Sequence, residues 1–230
     1  MIGMFDSGVG GLTVLSAYRR LSGRADILFF ADRKHAPYGT KSEEELLFLV
    51  RKNIRDLCAR GCSRVLIACC TAGTVWEKLP PEDRRVSVPI LAPTAKAAVR
   101  ATKNRRIGVL ATDRTCQSGV FAAKIHEALP YATVISHPAP DLVTMVERGA
   151  RDGAVCGRDL SLLRSVLSVF SGTGIDTLIL GCTHFPHLCA TIGGLLPGVR
   201  LISSSEEGAR ALCELEKNDR SPGTGKTVCL

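Results

Sequence analysis

The chain alternates between short apolar runs and longer segments whose apolar residues recur with helical periodicity. The apolar runs have the length of β-strands and lie at fairly regular intervals. They are Ile2–Phe5, Ile27–Ala31, Val65–Ala68, Val88–Leu91, Ile107–Ala111, Thr133–Ile135, Thr177–Leu180 and Val199–Ile202. Strands that alternate with helices build βαβ units, so we predict an α/β fold with mainly parallel sheets.

The clearest helix is predicted from Ser42 to Arg60. Ser42 and Glu45 have the spacing of a capping box, and Gly61 fits the position just past the last turn. One stripe of the predicted helix is apolar. Its members are Leu46, Leu49, Val50, Ile54 and Leu57.

A weak internal repeat runs through the chain. Residues 2–7 resemble residues 107–112, and residues 65–69 resemble residues 178–182. We therefore predict two similar α/β domains that face each other across a cleft.

The repeat also suggests where the domains end. We predict a first domain over residues 1–92 that is completed by 205–217, and a second over 93–204. Residues 218–230 are polar and rich in glycine and proline, which favours a flexible tail.

Chemically useful side chains follow four of the predicted strands. Ligands of parallel sheets bind at the carboxyl ends of the strands, so these side chains should converge on one cleft. They are Asp6-Ser7, Cys69-Cys70-Thr71, Thr112 and Cys182-Thr183-His184.

Two thiols at equivalent strand ends, Cys69 and Cys182, suggest a reaction. A planar carbanion between two acid/base groups can lose a proton on one face and regain it on the other, which inverts a stereocentre. Forming a thiolate at pH 7 from an ordinary cysteine costs only about 2 kcal/mol. Asp6 and His184 could relay or place protons.

The glycine-rich segment Asp6–Gly11 lies between a predicted strand and a helix that begins near Leu12. Its glycines permit close backbone approach, and the start of the helix offers N–H donors to a carboxylate. Thr13 stands where a dinucleotide-binding loop would need its third glycine, so that interpretation fails.

Four separated motifs, in this order, resemble those of the bacterial glutamate racemases. They are Phe5–Leu12, Pro37–Lys41, Ala68–Ala72 and Leu180–Pro186. The resemblance spans residues 1 to 210. It implies a cofactor-independent racemase with two α/β domains and an active site between them, which interconverts L- and D-glutamate and supplies D-glutamate for peptidoglycan.

The resemblance also assigns roles to residues. Cys69 and Cys182 become the two proton-transfer groups, and Asp6, His184 and Glu147 assist them. A further set is expected to bind the substrate, with no metal and no cofactor involved. It comprises Ser7, Pro37, Tyr38, Gly39, Cys70, Thr71, Thr112, Thr115 and Thr183.

Three positions depart from the family pattern and keep alternatives open. Cys70 stands where asparagine is usual, Ser203 where aspartate is common before a serine, and His137 where cysteine is usual before a proline. One alternative is a racemase of another acidic substrate such as aspartate. Another is a binding protein of the same fold with weakened catalysis.

Composition excludes several other classes of protein. The net charge of +8 is spread over scattered basic pairs, so we expect no nucleic-acid partner. No apolar stretch is long enough for a membrane helix, and no secretory signal opens the chain, so we expect a cytoplasmic protein with reduced thiols. The sequence leaves the oligomeric state open, a homodimer included.

Two readings of the cysteines and histidines are less favoured. A zinc site at Cys182, His184 and His187 is disfavoured because spacing alone is poor evidence, no acidic or cysteine partner is apparent, and Pro186 constrains the backbone between the histidines. The adjacent pair Cys69-Cys70 could form a redox switch instead of an acid/base site.

Overall fold

The computed structural model describes residues 1–21, 23–217 and 223–230. Within these residues the chain forms β-strands, α-helices and short 3₁₀ turns in regular alternation. The strands are β1 (Ile2–Asp6), β2 (Ile27–Ala31), β3 (Arg64–Ile67), β4 (Ser87–Pro89), β5 (Arg106–Ala111), β6 (Thr133–Pro138), β7 (Thr177–Gly181), β8 (Arg200–Ser203) and β9 (Thr227–Cys229). The helices are α1 (Leu12–Arg20), α2 (Glu43–Ala59), α3 (Cys70–Gly73), α4 (Pro81–Val86), α5 (Leu91–Ala101), α6 (Asp113–Gln117), α7 (Val120–Ala128), α8 (Pro140–Glu147), α9 (Gly157–Leu167), α10 (Cys189–Leu195) and α11 (Ser204–Lys217).

The strands form two sheets in which all neighbours are parallel. The first sheet has the order β4-β3-β1-β2-β9 and the second has the order β6-β5-β7-β8. Read in matching directions, β4-β3-β1-β2 and β8-β7-β5-β6 are the same arrangement, so β1 corresponds to β5 and β3 to β7. The α/β fold class is confirmed, and the internal repeat has this topology as its structural basis. The exact domain limits stay a prediction.

Helix α2 forms as the sequence indicates. The Ser42 side chain accepts from the Glu45 backbone N–H, and the Glu45 carboxylate accepts from the Ser42 N–H, which satisfies two donors at the helix start. Gly61 ends the helix at φ +88°, a backbone conformation that other residues adopt only with strain. The predicted apolar stripe is buried against the first sheet.

Two segments differ from the sequence-based expectation. The strand expected over residues 88–91 ends at Pro89, and Leu91 begins α5. The prediction of a flexible tail over residues 218–230 is wrong for the last part of that segment. There, β9 pairs with β2, and Arg19 Nη2 donates to Thr227 Oγ1 at 2.8 Å. Residues 218–222 of that tail lie outside the described residues.

A shared core joins the two sheets. Helix α11 packs against α1 and α5, and α5 packs against α7. One continuous apolar cluster contains Ile2 and Met4 from β1 together with Ile107 and Val109 from β5. The sheets are therefore held in a fixed relation, with their carboxyl ends towards a common space. Within the described part of the chain, the helices are too short or too polar to cross a membrane.

Candidate active site

A cavity of about 470 Å³ lies between the carboxyl ends of the two sheets. Its wall contains both strand-end cysteines, Cys69 after β3 and Cys182 after β7. The wall also contains most of the predicted site residues. These are Ser7, Pro37, Tyr38, Gly39, Cys70, Thr71, Thr112, Glu147, Thr183 and His184. Asp6 and Thr115 are the two predicted residues that lie behind the wall.

Cys69 is a buried thiol with a hydroxyl neighbour. Its Sγ lies 3.5 Å from Ser7 Oγ, to which the thiol donates, and 6% of the residue is exposed. Burial, with a smaller contribution from the nearby Asp6 carboxyl, raises the pKa of the Cys69 thiol to about 12. A thiol in a dry site resists ionisation because the charged form loses hydration. Cys69 is therefore a neutral acid at physiological pH.

Cys182 has a different neighbour. Its Sγ lies 3.6 Å from Nδ1 of His184. Burial raises the pKa of the Cys182 thiol above its ordinary range, and a contact with the His184 backbone partly opposes that rise. The opposite ring nitrogen, Nε2, lies 3.4 Å from Glu147 Oε1 without hydrogen-bond geometry, and among the described residues it has no hydrogen-bond partner. A thiol, an imidazole and a carboxylate thus line up at the cavity.

Asp6 lies behind the wall as a fully buried carboxyl. Thr183 Oγ1 donates to its Oδ2 at 2.8 Å, and Ser7 Oγ donates to its Oδ1 at 3.1 Å. Burial raises the pKa of Asp6, although both hydroxyl contacts oppose the rise. The carboxyl therefore links Ser7, which touches Cys69, to Thr183, which follows Cys182. This places Asp6 where it can hold or pass a proton for either thiol.

The glycine-rich loop packs directly against the loop after β7. A Cβ atom on Gly10 would overlap the Thr183 hydroxyl and lie 2.9 Å from His184 Cε1. Such distances are too short for carbon, so only glycine fits between the two loops. The predicted close backbone approach is therefore made to another loop of the same chain.

Three threonine hydroxyls form a small ring at one edge of the cavity. Thr71 Oγ1 lies 2.9 Å from Thr112 Oγ1 and 3.2 Å from Thr115 Oγ1, and the last two oxygens are 3.0 Å apart. Thr71 follows the first sheet, whereas Thr112 and Thr115 follow β5 of the second. Thr71 and Thr112 reach the wall, and Thr115 supports them from behind. The ring ties the two sheets together at this edge.

Tyr38 contributes to the wall, but its hydroxyl is already engaged. The phenol donates to Asp32 Oδ2 at 2.5 Å and accepts from Asn53 Nδ2 at 3.0 Å. Asp32 is 2% exposed and also contacts His35 Nδ1 at 2.6 Å. Burial and the Asp32 carboxylate raise the pKa of Tyr38 above its ordinary range. Tyr38 therefore anchors the loop at Pro37–Gly39, and its hydroxyl is not free to contact a ligand.

Sequence reasoning missed part of the wall. Helix α8 contributes Pro140, Val143 and Thr144 in addition to the predicted Glu147. These four residues have the i, i+3, i+4, i+7 spacing of one helix face, which was the available signal. Each of the other additions is the chain neighbour of a predicted residue. They are Gly8, Ala36, Thr40, Asp113 and Gly181.

The cavity combines acid/base groups with neutral hydroxyl donors. Among the residues described by the structure, there is no cluster of three or more histidine, cysteine, aspartate or glutamate side chains placed to hold a metal ion. Cys69 and Cys182 are both free thiols. The groups present are suited to moving protons at an atom held between the two sulfurs.

Comparisons with known proteins identify the family of this chain. A family model described as Asp/Glu/Hydantoin racemase matches residues 17–212. The glutamate racemase of Corynebacterium kroppenstedtii is 38% identical over 208 residues, which cover 90% of this chain and 71% of that protein. The crystal structure of a glutamate racemase from Bacillus anthracis matches with a TM-score of 0.87 and 32% identity, covering 100% of this chain and 86% of that one. A glutamate racemase from Francisella tularensis, crystallised with D-glutamate, matches with a TM-score of 0.86 and 28% identity over 99% and 86% of the two chains.

The resemblance inferred from the four sequence motifs is thereby confirmed. The matches extend over almost the whole chain and over both sheets, so they concern the fold as a whole. The chain belongs to the Asp/Glu/hydantoin racemase family.

Proposed function

We propose that this protein is a cofactor-independent glutamate racemase in which Cys69 and Cys182 exchange protons at the substrate Cα from opposite faces. The observation that carries the proposal is the shared cavity: two buried thiols, one from each sheet, line the same 470 Å³ space. Glutamate is a small acidic amino acid that fits such a volume. One thiolate takes the proton from one face, and the other thiol delivers a proton to the opposite face.

The burial of the thiols sets an energetic requirement. With a pKa of about 12, ionising Cys69 at pH 7 costs about 7 kcal/mol in the free protein. The expectation of about 2 kcal/mol for an ordinary cysteine is too low here. A bound amino acid brings an ammonium group into the cavity beside the buried thiols, and a nearby positive charge favours a thiolate. The substrate itself therefore helps to create the base that attacks it.

Neutral hydroxyls suit the substrate's carboxylates. Thr71 and Thr112 reach the wall with hydroxyl groups that lie 2.9 Å apart. Ser7 and Thr183 also reach the wall with hydroxyl groups, both of which contact Asp6. Hydroxyl donors can bind carboxylates without the strong positive charge that would compete for the thiolate. Asp6, His184 and Glu147 are assigned as the assisting groups, because each lies beside a thiol or beside a residue that contacts one.

The product, D-glutamate, would serve peptidoglycan synthesis, and we place the reaction in the cytoplasm. A homodimer is compatible with this function.

The test is Cα exchange and racemisation of each glutamate enantiomer in heavy water. We expect wild type to incorporate deuterium and lose optical rotation, and Cys69→Ala and Cys182→Ala to lose at least about 100-fold in rate. Cys62→Ala is the matched control, because Cys62 is also a buried thiol but lies outside the cavity wall.

Equal rates in all four proteins would refute the assignment of the thiols. A parallel assay with aspartate addresses the alternative substrate, and faster turnover of aspartate than of glutamate would overturn the specificity. Tight glutamate binding without any exchange would indicate the non-catalytic alternative.

A further inference from the structure

A hydroxyl group outside the cavity wall connects three segments that position the active site. Thr13 is half-buried in the first turn of α1. Its Oγ1 lies 2.7 Å from the Gly10 carbonyl oxygen, 3.0 Å from the Thr183 carbonyl oxygen and 2.6 Å from Ser205 Oγ. These partners belong to the glycine-rich loop, to the loop after β7 and to the first turn of α11.

The number of hydroxyl protons determines which group donates in each of these three hydrogen bonds. A threonine hydroxyl has one proton, and carbonyl oxygens only accept. Ser205 therefore donates to Thr13, and Thr13 shares its own proton between the carbonyls of Gly10 and Thr183. Ser205 is 2% exposed, so water does not replace it readily. If the hydroxyl were removed, the Ser205 hydroxyl and both carbonyls would each lose a partner.

The Thr183 carbonyl is next to the chemistry. Thr183 follows Cys182 directly, and its side chain donates to Asp6 at 2.8 Å. Thr183 is thus held at two points: its carbonyl oxygen accepts from Thr13 in α1, and its hydroxyl donates to Asp6 at the end of β1. Proton transfer demands close alignment of the reacting atoms, and a displacement near 1 Å can cost about 100-fold in rate.

We infer that Thr13 is a positioning residue for racemisation, one that fixes the Cys182 loop against the glycine-rich loop and so aligns the Cys182 thiol with Cα. The inference rests on the proposed function. Thr13 contacts neither the cavity nor the thiol, so its effect is transmitted through the Thr183 backbone.

The experiment compares Thr13→Val, which keeps the shape and removes the hydroxyl, with Thr13→Ser, which restores it. Thr94→Val is the matched control, since Thr94 is fully buried in α5 and its hydroxyl donates to the Ile90 carbonyl at 2.7 Å. We expect kcat to fall between about 10-fold and about 100-fold in Thr13→Val, with KM changed less than about threefold. Thr13→Ser should recover most of kcat, and Thr94→Val should racemise like wild type.

A second readout separates misplacement of one thiol from a general structural defect. When Cys182 is misaligned, the carbanion that Cys69 has formed waits longer and returns to Cys69. During this wait the proton on Cys69 exchanges with the solvent, so in heavy water a deuteron returns to Cα and deuterium accumulates in the recovered substrate relative to the product. Both enantiomers form the same carbanion, so we expect this ratio to rise for the enantiomer that Cys69 deprotonates and to fall for the enantiomer that Cys182 deprotonates.

The outcomes are distinct. A folded Thr13→Val with the kcat of Thr94→Val, or with exchange raised equally for both enantiomers, would overturn the inference. If Thr13→Val does not fold, Thr13→Ala, which also removes the hydroxyl, takes its place and must show the same one-sided exchange; symmetric exchange again overturns the inference. Absence of racemisation in wild type and Thr94→Val would reject the proposed function itself, which is a separate result.

Discussion

Replacing Gly10 with alanine tests the close packing of the two loops beneath the cavity. The new Cβ would overlap the Thr183 hydroxyl and sit 2.9 Å and 3.0 Å from two atoms of the His184 ring. The backbone of Gly10 has no positive φ, so alanine is acceptable there apart from these contacts. The variant therefore isolates steric conflict from backbone strain.

The magnitude follows from three contributions. Overpacking of a tight contact costs about 1–3 kcal/mol, and pushing the Thr183 hydroxyl away from buried Asp6 costs about another 1–3 kcal/mol. The smaller entropy of the unfolded chain returns about 0.4–1 kcal/mol. We expect a net destabilisation of about 3 kcal/mol. For a chain of 230 residues this lowers Tm by about 6–12 °C.

The assay is urea unfolding together with racemase kinetics. Gly194→Ala is the control, since Gly194 lies exposed in α10 with nothing within 4 Å of the added Cβ, and alanine should stabilise that helix by up to about 1 kcal/mol. Because Thr183 and His184 both move in Gly10→Ala, kcat/KM should drop at least about tenfold. Unchanged stability and unchanged kcat/KM in Gly10→Ala would refute the packing argument.

Three further predictions concern single side chains at the cavity. Burial moves the pKa of Cys69 from 9.0 to about 12, so the unfolded chain ionises first as pH rises. Between pH 9 and 11 wild type should therefore lose about 2 kcal/mol more stability than Cys69→Ala in urea unfolding, and parallel curves would contradict this. Cys70 is 3% exposed in the wall, and its thiol is a weak hydrogen-bond donor. Cys70→Asn adds an amide donor and should lower the KM for glutamate about tenfold, whereas an unchanged KM would count against a substrate contact at this position. Tyr38→Phe removes the hydroxyl that donates to Asp32, so it should cost about 2 kcal/mol of stability and change KM less than about twofold. A large rise in KM at unchanged stability would mean that the hydroxyl binds substrate.

Local signals in the sequence predict the strands and helices of this protein well. The apolar runs fall on the strands with shifts of at most three residues at the ends, and the Ser42–Glu45 pair and Gly61 mark the limits of α2. These features depend on residues close together in the chain. The internal repeat adds one long-range fact, the equivalence of β3 and β7, and that equivalence brings Cys69 and Cys182 to one cavity.

Contacts between distant segments are what the sequence does not reveal. Strand β9 is short and polar at its ends, and only its pairing with β2 makes it a strand. The Asp32–Tyr38–Asn53 network depends on how α2 lies over the loop after β2, so the engaged Tyr38 hydroxyl has no local signature. Burial of the thiols, and hence the rise in their pKa, also depends on both sheets together.

The topology makes the two thiols equivalent, but their neighbours make them unequal. Cys69 contacts the Ser7 hydroxyl at 3.5 Å, whereas Cys182 faces the His184 imidazole at 3.6 Å with Glu147 beyond it. Two enantiomers have the same free energy, so the equilibrium constant of racemisation is one and kcat/KM must be equal in the two directions. In steady-state kinetics, a difference in reactivity between the two thiols can therefore appear only as compensating differences in kcat and KM. A change that touches one thiol, such as the loss of the Thr13 hydroxyl, must lower kcat/KM equally for both enantiomers, while the isotope distribution identifies the side on which the alignment was lost.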